Sequence, residues 1–208
     1  MNTYLKDPDA IYEQSFSSIE AEADLSLIPT AARPIAVRVI HACGMTEVAR
    51  NLIFSPDFVS EAQTALARGC KIFVDAEMVR HGIMQRLLPD RERIICTLND
   101  PAIKNLSREL VTTRSAAAVE LWKPELAGSI VVIGNAPTAL FHLLDMIDAG
   151  GPKPAAIVGF PVGFVGAAES KDLLITRARG IPFAALRGRQ GGSAMAAAVI
   201  NALLSGQE

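Results

Sequence analysis

The sequence predicts a three-layer α/β/α sandwich with a five-stranded parallel sheet, preceded by N-terminal helices. From residue 71 onwards, short apolar runs alternate with stretches of helical pattern. The runs are continuously apolar rather than alternating between apolar and polar residues, which is typical of strands that are buried on both faces. Because each connection between parallel strands needs a crossover helix, helices are expected on both faces of the sheet.

The apolar runs place the five strands at residues 71–75, 92–97, 129–134, 155–160 and 182–186. The stretches between and after them predict helices at residues 76–86, 100–121, 136–149, 166–178 and 193–205. Two further helices come before the sheet. One covers Asp7 to Asp24 with an apolar stripe, and the other runs from Pro34 to Cys43 and ends at Gly44.

Length and composition indicate one globular domain over residues 1–208. Half of the 208 residues are apolar and only 5% are aromatic, a balance typical of packed α/β proteins. Twenty basic and 22 acidic residues give a net charge of −2, so no overall field attracts nucleic acid or an acidic membrane. The chain starts without a secretion signal and has no run of about 18 apolar residues, so we expect a cytoplasmic protein that does not enter a membrane.

The cysteines and one histidine give little indication of a metal site. Cys43, Cys70 and Cys96 are widely spaced and form no CxxC pair, which disfavours a disulfide framework and structural zinc. Glu77 and His81 have the i, i+4 spacing of a helical metal pair, but no third ligand stands near them in the sequence. We therefore expect an ion pair or a solvated face there, and no metal.

Three loops that follow strands are rich in glycine. They read GNAPTAL from Gly134, GFPVGFVGAAESK from Gly159 and RGRQGGSAM from Arg187. Ligands of open parallel sheets bind beyond the carboxyl ends of the strands, and free N–H groups at helix starts favour carboxylates or phosphates. We therefore expect three anion-accepting loops at one edge of the sheet, with tight turns as the alternative for any single loop.

The first of these loops leads into a helix with Pro137 in its first turn and Asn135 as the expected cap. None of the loops has the GxGxxG or GxxxxGK[ST] spacing, which disfavours a dinucleotide cofactor. Phe160, Phe164 and Met195 lie among the polar loop residues. Such a mixture would suit a broad, mostly apolar ligand with anions at its rim.

His41 is the candidate for proton transfer. Arg38 precedes it by three residues in RVIHACG, a spacing that places guanidinium and imidazole on one helical face. The pair could bind an anion and move a proton. The alternative is a partly buried helix histidine with a hydrogen-bond partner. His142 lies on an apolar helix surface and is expected to be packed there.

Arg114 starts a helix of small residues and suits bidentate binding of a carboxylate, with a surface salt bridge as the alternative. No motif of a covalent nucleophile is present, since GxSxG is absent and Cys43 lacks the flanking residues of a cysteine nucleophile. A lone acid or base suits a reaction that needs little more than proton placement and orientation of the ligand. Isomerisation fits this requirement.

Motifs along nearly the whole chain resemble those of the precorrin-8X methylmutase family of cobalamin biosynthesis. They are AIYEQSF, VRVIHACG, FSPDFV, DAEMVRHG, TTRSAAA, IGNAPTALF, VGFPVGFVGAAESK and RGRQGGSAM. The combination of GNAPTAL with GFPVGFVGAAESK is far more specific than any single glycine motif. The resemblance implies a flavodoxin-like sandwich and a homodimeric cytoplasmic enzyme. That enzyme moves the methyl group at C-11 of precorrin-8X to C-12, giving hydrogenobyrinate without a cofactor.

The resemblance also implies roles for individual residues. His41, the histidine of RVIHACG, acts in proton transfer, while Ser15 of IYEQSF and Arg38 bind substrate. Loop N–H groups and four further side chains are expected to meet the carboxylate arms of the flat macrocycle: Arg114, Asn135, Thr138 and Ser193.

Two alternatives remain open at this point. Within the family, the enzyme of the anaerobic route performs the same migration on cobalt-precorrin-8 and gives cobyrinate. An alternative of another class is a non-catalytic carrier of a tetrapyrrole or nucleotide on the same fold, which the glycine loops alone would permit.

Overall fold

The computed structural model describes residues 4–205, which contain a six-stranded sheet with helices on both faces. The strands are β1 (Leu52–Phe54), β2 (Ile72–Val74), β3 (Ile94–Ile95), β4 (Ile130–Ile133), β5 (Ala156–Gly159) and β6 (Phe183–Leu186). The α-helices are α1 (Pro8–Glu22), α2 (Arg33–Cys43), α3 (Phe58–Ala67), α4 (Glu77–Gly82), α5 (Ile103–Glu109), α6 (Arg114–Glu120), α7 (Pro137–Asp148), α8 (Ala167–Thr176) and α9 (Ser193–Ser205). Residues 1–3 and 206–208 of the predicted domain lie outside the described residues.

The strands have the order β1-β6-β5-β4-β2-β3. The five strands predicted from apolar runs correspond to β2 to β6, and their pairings are parallel. The predicted fold class is confirmed, because β3 lies on one side of β2 and the later strands lie on the other, as in flavodoxin-like folds. The count of five strands is wrong by one. β1 adds an antiparallel edge that pairs Leu52 with Leu186, and its short apolar run lies before the alternation of strands and helices that starts at residue 71.

Both faces of the sheet are buried, as the continuously apolar strands predict. Successive strand residues point to opposite faces and therefore enter two different cores. One core contains residues of α2, α3, α4 and α9 together with Ile72, Val74, Ile130 and Val132. The other contains residues of α7 and α8 together with Phe73, Trp122, Val131 and Ile133. α1 lies outermost and packs on α2.

The helix predicted over residues 100–121 is two helices in the structure, α5 and α6. Val111 takes a left-handed φ of 50° between them. Thr113 then caps α6 by accepting a hydrogen bond from the Ala116 N–H at 3.1 Å. α3 forms in a segment for which the sequence pattern predicts no helix, whereas α2 ends as expected at Gly44, with a φ of 69°.

Among residues 4–205, no helix has both the length and the apolar character needed to cross a membrane.

A backbone hydrogen bond and a close backbone contact join the loops after β5 and β6. The Gly192 N–H donates to the Phe160 carbonyl at 2.9 Å, and a Cβ on Gly191 would lie 2.3 Å from that same oxygen, so only glycine fits there. Beneath the loops, Lys171 is 0% exposed and donates to the Gln190 carbonyl at 2.5 Å. Burial lowers the pKa of Lys171 to about 8.

Lys171 should make the protein more stable as the pH rises from about 8 to 10.5. The unfolded chain keeps the proton on this lysine up to its ordinary pKa of 10.5, whereas the folded chain releases it from about 8. Within this window the unfolded state therefore binds more protons. The free energy of unfolding is measured in urea for the wild type and for Lys171→Met. We expect the difference, wild type minus variant, to rise by on the order of 3 kcal/mol across the window.

Lys153→Met is the matched control, because Lys153 also donates to a backbone carbonyl, that of Arg179, but is exposed. Burial raises the pKa of Cys96 to about 11, which gives a slope of opposite sign. That slope is common to all three proteins and cancels in the difference. A difference between the wild type and Lys171→Met that stays constant through the window would contradict the lowered pKa.

Candidate active site

His41 lies at the surface where α1 packs on α2. Ser15 Oγ of α1 forms a 2.8 Å hydrogen bond with His41 Nδ1, and the rings of Tyr12 and Phe16 lie 5.8 and 5.3 Å from the imidazole. Within the part of the chain that the structure describes, His41 Nε2 has no hydrogen-bond partner. The ring is thus oriented through one nitrogen and open at the other, which suits transfer of a proton to or from a ligand.

Arg38 connects three helices next to this histidine. Its side chain is largely buried, donates a short hydrogen bond to the Tyr12 hydroxyl, and donates a longer one of 3.4 Å to Ser205 Oγ of α9. The guanidinium also lies 5.6 and 5.7 Å from the ring centres of Tyr12 and Phe16. No Asp or Glu among residues 4–205 pairs with Arg38. No carboxylate of the described residues therefore balances its charge.

Beyond Ser15, α1 and the residues before it expose both apolar and polar side chains. An open depression of about 270 Å³ is lined by Leu5, Ile11, Gln14, Ser15 and Ser18. Leu5 and Ile11 are exposed. Exposed apolar side chains among polar ones, beside a histidine that can transfer a proton, suit a large ligand with apolar and polar parts or a second protein surface.

The loop after β4 binds a carboxylate of the protein itself. Asp75, directly after β2, is 2% exposed. Its carboxylate accepts three backbone hydrogen bonds, from the N–H groups of Gly134 (2.9 Å), Asn135 (3.0 Å) and Ala136 (2.6 Å). Burial raises the pKa of Asp75, and the three N–H groups oppose that rise by stabilising the charged form.

These contacts correct two expectations. Asn135 is not the cap of α7, because Ala136 takes the cap position and the N–H groups before the helix donate to Asp75. The expectation of free N–H groups is also wrong for this loop, whose N–H groups at residues 134–136 donate to Asp75. In the loops after β5 and β6, the N–H groups of Val162, Gly163 and Gly192 donate to backbone carbonyls. The first N–H groups of α8 and α9 have no partner among residues 4–205. At the loop after β4, binding of a ligand anion therefore falls to side chains.

Thr138 and Arg114 lie at neighbouring helix starts at this edge. The hydroxyls of Thr113 and Thr138 form a 2.8 Å hydrogen bond that joins the first turns of α6 and α7. Arg114 is exposed and donates to the Leu98 carbonyl at 3.0 Å and to Asn99 Oδ1 at 3.2 Å. The salt bridge considered as its alternative is not formed by any described residue.

Ser193 begins α9, and its Oγ is buried without a hydrogen-bond partner among residues 4–205. A buried hydroxyl of this kind needs a partner, which a ligand can supply. The expectation that Phe160 and Met195 face a ligand is wrong, because both are buried in the core. Phe164 is 84% exposed, and the Arg189 guanidinium lies 5.5 Å from its ring centre.

The other two histidines each lie beside a glutamate. His142 Nε2 lies 2.6 Å from Glu120, and the residue is half-buried as expected of a packed histidine. His81 Nε2 lies 3.8 Å from Glu77, the ion pair that we prefer to a metal pair at this spacing. Residues 4–205 contain no group of three or more His, Cys, Asp or Glu that could hold a metal ion, and their cysteines are free thiols.

The predicted site residues fall into two groups. Ser15, Arg38 and His41 come together where α1 meets α2, although 26 residues separate the serine from the histidine. The others lie beyond the carboxyl ends of the strands: Arg114, Asn135, Thr138 and Ser193. No hydrogen bond, ion pair or ring contact within residues 4–205 joins the two groups.

Sequence reasoning misses two residues of these groups. Asp75 carries a signal that could have found it, since an acidic residue ends the apolar run KIFVD at the carboxyl end of a predicted strand. Tyr12, which contacts Arg38, carries none, because one aromatic residue in an amphipathic helix is typical of core packing.

The chain is similar to known proteins along almost its whole length. Residues 10–206 match the model of the precorrin-8X methylmutase family. The chain is 58% identical over 200 residues to the precorrin-8X methylmutase of Sinorhizobium sp., which covers 96% of this chain and 95% of that one. It is 40% identical over 182 residues to the cobalt-precorrin-8 methylmutase of Methanothermobacter thermautotrophicus, covering 88% and 84% of the two chains. The solved structure of the precorrin-8X methyl mutase of Thermus thermophilus superposes with a TM-score of 0.85, at 34% identity and 95% coverage of each chain.

Proposed function

Because this chain belongs to the precorrin-8X methylmutase family, we propose that His41 moves the proton that assists methyl migration on its substrate. The chain is an isomerase, an intramolecular transferase that moves the methyl group at C-11 of precorrin-8X to C-12 and gives hydrogenobyrinate in cobalamin biosynthesis. The observation that carries the role of His41 is its geometry. Ser15 holds Nδ1 at 2.8 Å, while Nε2 meets no partner among the described residues.

The reaction asks little of the protein beyond orientation and proton placement. The bond from the methyl group to C-11 breaks and the bond to C-12 forms within one molecule, in the manner of a 1,5-sigmatropic shift. No electron is gained or lost overall, so the proposed mechanism needs no cofactor. Protonation of the macrocycle next to ring C by His41 would ease the migration and trap the product tautomer. Proton transfer of this kind contributes about 10²- to 10⁴-fold to a rate.

Ser15 orients His41 so that Nε2 is the nitrogen that moves the proton. With Nδ1–H donating to the serine hydroxyl, the protonated ring gives its Nε2 proton to the macrocycle and becomes neutral, and Nε2 can then take a proton back. The proton on Nδ1 stays on the ring throughout.

The proposed substrate-binding residues offer polar groups that the protein leaves without a charged partner. Arg38 and Arg114 have no carboxylate partner among residues 4–205, and Ser193 Oγ is buried and unpaired there. A macrocycle with acetate and propionate arms supplies carboxylates that such groups can bind. The proposed set is completed by three side chains, those of Ser15, Asn135 and Thr138.

We also propose an oligomeric state and a location for the protein. A single domain of residues 1–208 acts as a cytoplasmic homodimer, without nucleic acid and without metal. The exposed apolar side chains of Tyr4, Leu5 and Ile11 support a protein surface at or near α1.

The metal-free substrate is preferred to cobalt-precorrin-8 because identity is 58% to the precorrin-8X enzyme of Sinorhizobium sp. and 40% to the cobalt-precorrin-8 enzyme of Methanothermobacter thermautotrophicus. Assays with both substrates test this choice. Faster turnover of cobalt-precorrin-8 would reverse it.

His41→Ala should bind hydrogenobyrinate close to the wild-type affinity but turn over precorrin-8X about 10²- to 10⁴-fold more slowly. The proton donor is lost, whereas the groups that hold the carboxylates remain. Absorbance spectra report both the binding of product and the conversion of substrate. His81→Ala is the control, because it removes an exposed histidine whose one partner among residues 4–205 is Glu77. Full activity of His41→Ala would reject His41 as the group that moves the proton.

Arg114→Ala should raise the Kd of hydrogenobyrinate about 10- to 100-fold, the effect of losing a hydrogen bond to a charged group. The protein should remain as stable as the wild type, because Arg114 is exposed and its side chain makes two surface hydrogen bonds within residues 4–205. Arg68→Ala removes an exposed arginine at the end of α3, on the side of the sheet where the parallel strands begin. This control should leave the Kd unchanged. An unchanged Kd in Arg114→Ala would remove Arg114 from the binding set.

A further inference from the structure

Asp75 occupies the position in the sheet where this fold class usually binds a ligand. It directly follows β2, and β2 pairs with β3 on one side and with β4 on the other. The chain therefore leaves β2 and β4 in opposite directions along the sheet, which creates the crevice where open α/β sheets bind ligands. The side chain of Asp75 is 2% exposed.

The carboxylate of Asp75 takes the place of a ligand anion in this crevice. Three successive N–H groups converge on it: those of Gly134, Asn135 and Ala136, at 2.9, 3.0 and 2.6 Å. Successive N–H groups before a helix form a concave site that binds anions. No Lys or Arg in the described part of the chain pairs with Asp75. The loop is thus the chief compensation for the buried charge.

The loop that Asp75 holds carries much of the proposed binding set. Asn135 belongs to it, and Thr138 follows in the first turn of α7. The hydrogen bond from Thr138 to Thr113 extends the connection to the start of α6, where Arg114 lies. On its other side, the loop touches α9 so closely that a Cβ on Gly134 would lie 2.9 Å from Ser193 Cα.

We propose that Asp75 is a positioning residue, an internal anion that fixes Asn135, Thr138 and, through Thr113, Arg114 in the arrangement that receives the carboxylate arms of the substrate. This proposal rests on the proposed function. Asp75 does not touch the substrate, and its effect is on binding rather than on proton transfer. His41 lies on α2 and has no described contact with the loop, so its chemistry should survive when the loop is loosened.

Asp75→Asn is the first test, because the amide keeps the shape of the side chain but replaces an acceptor oxygen with a donor that opposes a backbone N–H. We expect the amides of residues 134–136 to exchange hydrogen at least tenfold faster in ligand-free protein. The Kd of hydrogenobyrinate and the KM for precorrin-8X should each rise at least tenfold, while kcat changes much less.

Ile130→Ala is the matched control. Ile130 is fully buried at the opposite end of β4, so the variant lowers stability without touching the loop. Suppose that the two variants lose a similar amount of Tm and that Ile130→Ala raises the Kd as much as Asp75→Asn does. Reduced stability alone would then explain the effect, and the proposal would be overturned.

Asp75→Ala with added formate gives a second, independent measurement. The truncated side chain leaves three N–H groups facing a space that a small carboxylate fits, so formate should slow amide exchange of residues 134–136 and lower the Kd of hydrogenobyrinate. Chloride at equal ionic strength should do neither. If Asp75→Ala folds only when formate is present, recovery of folded protein replaces the Kd as the measurement. No effect of formate would overturn the proposal.

Failure of this proposal can be told apart from failure of the proposed function. Wild-type protein that binds neither hydrogenobyrinate nor precorrin-8X would reject the function, whereas amide exchange in ligand-free Asp75→Asn would still report on the loop. If the wild type binds substrate normally and Asp75→Asn shows the amide exchange and the Kd of the wild type, only the proposed role of Asp75 is rejected.

Discussion

Burial of the sheet on both faces determines where chemistry can occur in this protein. All residues of β4, β5 and β6 are buried, and a polar side chain within such a strand would lose water without gaining a partner. Functional groups are therefore confined to the ends of the strands, to the loops beyond them and to the helices of the outer layers. Both groups of candidate residues obey this constraint, since one lies at the carboxyl edge of the sheet and the other on α1 and α2.

Beyond the carboxyl ends of the strands, buried charged side chains hold the loops in place. Asp75 accepts from three backbone N–H groups, and Lys171 donates to the Gln190 carbonyl beneath the neighbouring loops. Both charges are buried and both are compensated chiefly by backbone groups. Such contacts cost free energy in desolvation, but they hold irregular backbone in one arrangement. The side chains carried by those loops are then oriented before a ligand arrives, which reduces the entropy lost on binding.

At the histidine site, the Arg38 guanidinium helps to hold the outer helix α1 against α2. α1 packs on α2, and Ile19 is its one buried residue. Arg38 adds hydrogen bonds and ring contacts to Tyr12 and Phe16. The distance between Ser15 and His41 depends on this packing. In the proposed mechanism His41 moves the proton, so the packing of α1, which places Ser15 against the imidazole, bears directly on catalysis.

The sequence by itself determined the fold class, since strands buried on both faces must be apolar throughout and the five runs from residue 71 onwards show this. It also singled out Ser15, Arg38 and His41, through their match to one family's motifs. The tertiary structure alone decided that β1 is a strand, because β6 supplies its pairing. It alone decided that Asp75 binds the loop N–H groups expected to bind a ligand, because residues 75 and 134–136 meet only when β2 and β4 pair. Patterns along the chain report burial and local conformation, whereas partners distant in sequence are set by packing.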